Sequence, residues 1–84
     1  MTNAREAMIA NWIENEWDIH IIHDPDYISK KFDLSNREAR YYADKFVDKG
    51  VLCRIKIESS VYYAKAEWYV LLRKYNALDS VKIT

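Results

Sequence analysis

One glycine, one proline and one cysteine are all that these 84 residues hold of the types that most often punctuate or staple a chain. So little Gly and Pro leaves no composition for a flexible linker, a low-complexity segment or a Gly-rich phosphate loop. Cys53 has no second cysteine in the chain, which excludes an intrachain disulfide and suits a reducing compartment. Long apolar runs are also missing, so no membrane partner is expected. The first residues lack the basic-then-apolar order of a secretory leader; the expected location is the cytoplasm, the host's if the source is a virus. A surplus of either charge is absent too, because 13 basic residues meet 13 acidic ones. Zero net charge removes the simplest argument for a polyanionic partner.

What is present is a rich core. Half the residues are apolar, with three Trp, seven Tyr and two Phe. A single domain of this size buries only about 60% of the surface its unfolded chain exposes, so that core matters. Charge is also unevenly placed. Residues 1–29 hold one basic and six acidic residues, whereas residues 30–56 hold eight basic against four acidic. Neutrality is an average over two unlike halves.

The pattern along the chain is mostly helical. Asn3 with Glu6 reads as a capping box, and Ala4, Met8, Ile9, Trp12 and Ile13 form one apolar stripe of a first helix. Trp17 to His23, with Ile19, Ile21 and Ile22, suits a short strand. Asp24-Pro25 opens a second helix ending near Phe32, followed by a turn at Asp33-Leu34, with Leu34 filling the core between helices. Ser35-Asn36-Arg37-Glu38 is a second capping box; Ala39, Tyr42, Ala43 and Phe46 face inward, and Gly50 stops the third helix. The period then becomes two: Cys53, Ile55 and Ile57 make an apolar face, and Leu52, Arg54, Lys56 and Glu58 a mostly charged one. Glu58-Ser59-Ser60 turns the chain into a second strand from Val61 to Ala66, and a last helix spans about 67–78.

Catalytic signatures are missing. There is no nucleophile with a neighbouring base and no zinc-hydrolase motif, so the chain is not expected to be an enzyme or to need a cofactor. His20 and His23, with Asp24 and Asp26, are the only group resembling a metal site. Histidines three apart on a strand point to opposite faces, and no metal is expected there.

Residues 25–49 thus read as a helix-turn-helix and 51–66 as a wing. The segments Ile28-Ser29-Lys30-Lys31-Phe32, Leu34-Ser35, Arg40-Tyr41 and Lys49-Gly50-Val51-Leu52 resemble the common core of ArsR-, MarR- and Lrp-like regulators in the winged-helix DNA-binding family. In size the chain is similar to small winged-helix proteins of archaea and their viruses. Two departures stand out: Asp33 replaces the usual turn glycine, and the wing tip carries no Arg to reach a minor groove.

The resemblance implies an α+β fold in the order α-β-α-α-β-β-α and a transcriptional regulator of double-stranded DNA, with helix 36–49 in the major groove. Asn36, Arg37, Arg40 and Tyr41 would read bases, with Asp44 orienting Arg40. Lys30, Lys31, Ser35, Lys45, Arg54 and Lys56 would hold phosphates. Tyr69, Val70 and Ala77 lie opposite the last helix's inner stripe and, with Ile9 and Trp12, suggest a homodimer surface. The alternative is a winged-helix module that binds protein rather than DNA, and a third reading is a phage or viral protein that blocks a host factor.

Overall fold

We describe the chain from a computed structural model, which covers residues 3–67 and 82–83. Its first helix, α1 (Ala4–Asn15), starts where the Asn3 side chain accepts from the Glu6 N–H at 2.7 Å. The Glu6 carboxylate turns inward, so this capping box is half formed. Glu6, Ile9, Trp12 and Ile13 are the buried positions, whereas Met8 is 60% exposed. The stripe is therefore rotated from the one the apolar pattern draws, because α1 turns its Glu6 flank inward.

The expected strand after α1 is short. Asp18 accepts from the backbone N–H of His20 and Ile21, which makes a turn, and only Ile21–Ile22 (β1) is extended. Trp17 is buried nearby and donates its indole N–H to the Ile21 carbonyl at 2.8 Å. Helix α2 (Pro25–Phe32) is capped by Asp24, whose side chain accepts from Tyr27 N–H at 2.8 Å. It ends at Asp33 in the left-handed region, φ 55° and ψ 54°. Asp serves there because its short polar side chain tolerates that geometry better than most. Leu34 packs against the core, as expected.

Helix α3 (Asn36–Asp48) has a complete capping box: Glu38 N–H donates to Ser35 Oγ and Ser35 N–H donates to the Glu38 carboxylate, both at 3.1 Å. Gly50, φ 80°, closes its end. Val51 N–H returns to the Phe46 carbonyl and Gly50 N–H to the Val47 carbonyl, the paired bonds of a Schellman stop.

Strands β2 (Leu52–Ile57) and β3 (Ser60–Lys65) form an antiparallel hairpin from Leu52↔Lys65 to Ile57↔Ser60, with a two-residue turn at Glu58-Ser59. β1 reaches β3 through His23 and Tyr63, which exchange backbone bonds of 2.9 and 2.8 Å. β1 also pairs in parallel with β4 (Lys82–Ile83). Both faces of the hairpin are buried in part, contrary to simple alternation. Leu52, from the charged set, joins the main core with Tyr63, while Ile55 joins Ile22 and Ala64 on the opposite side; Ile57 is exposed.

The main core gathers Ile9, Trp12, Ile28, Ala39, Phe46 and Leu52 from three helices and the hairpin. Ile9 and Trp12 are 2% and 4% exposed. They are core residues of one chain and cannot form the outer surface assigned to them. Trp12 packs against the rings of Trp17, Tyr27 and Phe32. Tyr69, Val70 and Ala77, and residues 68–78 of the expected last helix, lie outside the described residues.

The described residues make an α+β fold of three helices and a two-stranded antiparallel sheet, compatible with a winged helix. Among them, no helix is long and apolar enough to cross a membrane.

Candidate nucleic-acid interface

Because α3 buries Ala39, Tyr42, Ala43 and Phe46, its period of 3.6 turns Asn36, Arg37, Arg40 and Tyr41 outward, and all four are exposed. Tyr41 is 60% exposed, its ring set edge-on against Tyr42. Neither Arg37 nor Arg40 forms an ion pair among the described residues. The four base-reading candidates are thus brought together on the N-terminal half of one helix.

Beside them lies a cleft of about 550 Å³ between α3 and the hairpin. Asn36 and Arg40 line one wall, Arg54 and the strand from Ser59 to Tyr63 the other, and Asp24 to Asp26 close one end. Asp44 ties the walls together. Its Oδ1 accepts from Tyr63 OH at 2.8 Å and from Arg54 Nε and Nη2 at 3.1 and 3.0 Å. Burial, reinforced by the bond to Asp44, pushes the Tyr63 phenol up to about 12. The Asp44 carboxylate also raises Arg54, so this guanidinium stays charged throughout. Asp44 therefore holds Arg54, and not Arg40 as the helical spacing suggested; the hairpin brings a better-placed guanidinium to it.

The phosphate-binding candidates divide. Lys30 pairs with Asp26 at 3.0 Å, and Arg54 with Asp44. Lys45 meets Glu6 at 2.6 Å, an ion pair whose carboxylate raises the lysine. Lys31 lies over the Trp12 ring, 5.3 Å from its centroid. Lys56 is exposed without an ion pair among the described residues. Ser35 Oγ is already occupied by Glu38 N–H. The Glu38 carboxylate sits at the same helix start, held below the usual carboxylate range by its Ser35 bonds and then by Arg5. A negative side chain there opposes a phosphate, so Ser35 does not offer the open anion seat its position suggests.

The histidines lie apart, but not by strand alternation, since His20 stands in the turn before β1. His20 is exposed and contacts Asp18, while His23 is buried against the rings of Trp17 and Tyr27.

Sequence reasoning missed two groups, Glu6 and Tyr63. Glu6 looked like a local cap and Tyr63 like one of several strand tyrosines. Their partners lie 39 and 19 residues away in the chain, on α3 in each case. A local signal for such pairs does not exist.

Comparison with family models, with curated proteins and with solved structures finds no match to this chain.

Proposed function

We propose that this chain is a double-stranded DNA-binding domain of the winged-helix type, acting as a transcriptional regulator. In this reading α3 lies in the major groove. The observation that carries it is the grouping of Asn36, Arg37, Arg40 and Tyr41, exposed together at the start of a firmly capped helix, with both arginines unpaired among the described residues. Arginine suits guanine O6 and N7, and Asn suits adenine, each contributing about 1–3 kcal/mol of discrimination. The backbone contacts would come from Lys31 and Lys56, joined by Arg37 where it meets phosphate. Regulation would then follow from occupancy of a site.

Duplex binding measured against salt concentration tests this. About three to four phosphate contacts give a log–log slope near 3, at roughly 0.9 per contact. No binding at low salt, or binding indifferent to salt, would sink the proposal. Pairing of two copies now rests on Tyr69, Val70 and Ala77 alone; sedimentation with and without duplex reads it.

A protein-binding module is the second reading, favoured by a specific observation. Glu6, Asp26, Glu38 and Asp44 each neutralise a basic side chain, which removes much of the positive field that DNA would meet. The same titration separates the two, since a protein-binding module leaves the duplex free.

A further inference from the structure

The first turn of α1 runs along one flank of α3. Asn3 Nδ2 donates to Tyr42 OH at 3.3 Å, Arg5 meets Glu38 at 3.2 Å, and Glu6 meets Lys45 at 2.6 Å and Lys49 at 4.0 Å. Positions 38, 42, 45 and 49 are one continuous stripe along α3 and its C-cap, and Asn3, Arg5 and Glu6 at the start of α1 cover it. The Glu6 side chain is only 5% exposed, whereas those of Lys45 and Lys49 are 40% and 50% exposed. The ammonium groups can reach solvent; the carboxylate cannot follow. Moving Lys45 to a phosphate would break the 2.6 Å ion pair of a buried carboxylate, and breaking a buried pair from one side is unfavourable.

We propose that Glu6 withholds Lys45, and to a lesser extent Lys49, from nucleic acid, so that α1 acts as an intramolecular brake on the affinity of α3 for polyanions. The proposal rests on the DNA-binding reading for its biological sense, but the electrostatics are general. Lys45 Nζ also lies 5.7 Å from the centroid of the Tyr41 ring, beside the exposed reading residues. A freed Lys45 is therefore within reach of the backbone next to any duplex that α3 contacts. The brake lowers binding to all sequences alike, since a lysine on phosphate carries no sequence information. It leaves Arg37 and Arg40, and so the sequence preference, untouched.

The test uses Glu6→Gln, with Glu14→Gln as a control that removes one exposed negative charge elsewhere on α1. Both are run on immobilised heparin, as a polyanion without sequence, and titrated with duplex DNA. Glu6→Gln is expected to elute at clearly higher salt than Glu14→Gln, and to steepen the salt slope for duplex by roughly 0.9 per freed lysine. One freed lysine corresponds to about five- to tenfold tighter binding at 0.1 M salt. Adding Lys45→Gln should abolish the gain, and the same substitution should matter less where Glu6 is present. Equal behaviour of the two Glu→Gln variants on heparin overturns the brake whether or not DNA is bound. A wild-type chain that ignores duplex, together with a heparin shift, overturns the DNA reading and keeps the brake. Should Glu6→Gln fail to fold, acetylation of lysines in the wild-type chain decides instead. Heparin should protect Lys56 and leave Lys45 unprotected; protection of Lys45 overturns the proposal.

Discussion

Asp44 joins the hairpin to α3 through a single oxygen that accepts from both Arg54 and Tyr63. Tyr63 is 2% exposed and its hydroxyl donates to Asp44, so loss of Asp44 removes that acceptor. A buried donor left unpaired costs about 1–3 kcal/mol. The same geometry sets a pH dependence. A phenol raised in the fold keeps its proton more tightly there than in the unfolded chain. Its contribution is whole below its ordinary value of 10 and is lost as pH rises through about 12. A rise of about two pH units makes that contribution on the order of 2 kcal/mol. Urea titrations between pH 9 and 12 should show stability falling in the wild type and falling less in Tyr63→Phe. Parallel curves would mean that the hydroxyl is not held as described. Also at this scale, Arg40 and Lys56 should differ in kind. Arg40→Ala should weaken a preferred duplex by about 1–3 kcal/mol and flatten the ranking of sequences. Lys56→Ala should weaken every duplex alike and reduce the salt slope by about one. Selection from a random duplex pool, run on each variant, reads both.

At the scale of elements, two residues in positive φ make opposite predictions. Gly50 sits at φ 80° after α3, and a Cβ there would meet no atom within 4 Å. Space is thus not the reason for glycine; backbone geometry is. Gly50→Ala should cost about 1 kcal/mol through left-handed strain alone. Glu58 sits at φ 57° at the first central position of the hairpin turn, where a type II′ turn wants glycine. Glu58→Gly should therefore stabilise by about 1 kcal/mol. Thermal unfolding of the two variants should move in opposite directions, and movement in the same direction would refute the turn geometry. Such local features were the legible part of the fold. Asn3, Asp24, Ser35 and Gly50 announce their helix ends because a cap is settled within four residues. Leu52 and Met8 were misplaced for the complementary reason. Periodicity shows that a face is apolar, but which face is covered depends on neighbours far along the chain. Leu52 is buried because β2 packs one face on the helices, and Met8 is exposed because Glu6 takes the inward side.

For the whole molecule the uneven charge has a consequence that neither residue nor element reveals. Two of the six acidic residues among the first 29, Glu6 and Asp26, each pair with a lysine from the basic stretch. Folding thus mixes the two signs that the sequence keeps apart. The outward placing of Asn36, Arg37, Arg40 and Tyr41 was legible from helical spacing, whereas this cancellation was not, because Glu6–Lys45 and Arg5–Glu38 join residues 39 and 33 apart. A molecule of zero net charge has no long-range attraction to a polyanion beyond about a Debye length, roughly 8 Å at physiological salt. What remains is local, the side chains of Arg37, Arg40 and Lys56 without an ion pair among the described residues, felt only near contact. Association with duplex DNA should then be ordinary, about 10⁵–10⁷ M⁻¹s⁻¹, and not the 10⁸–10⁹ M⁻¹s⁻¹ of steered encounters. Salt should act mainly by speeding dissociation, because the contacts it screens exist only in the complex. Stopped-flow association and dissociation at 50 and 200 mM salt distinguish the cases. An association rate above 10⁸ M⁻¹s⁻¹ that collapses with salt would mean that the surface field is far more positive than these ion pairs allow. An ordinary rate with a salt-driven off-rate would instead identify α3 as a reader that depends on close fit, with little help from the charge of the molecule around it.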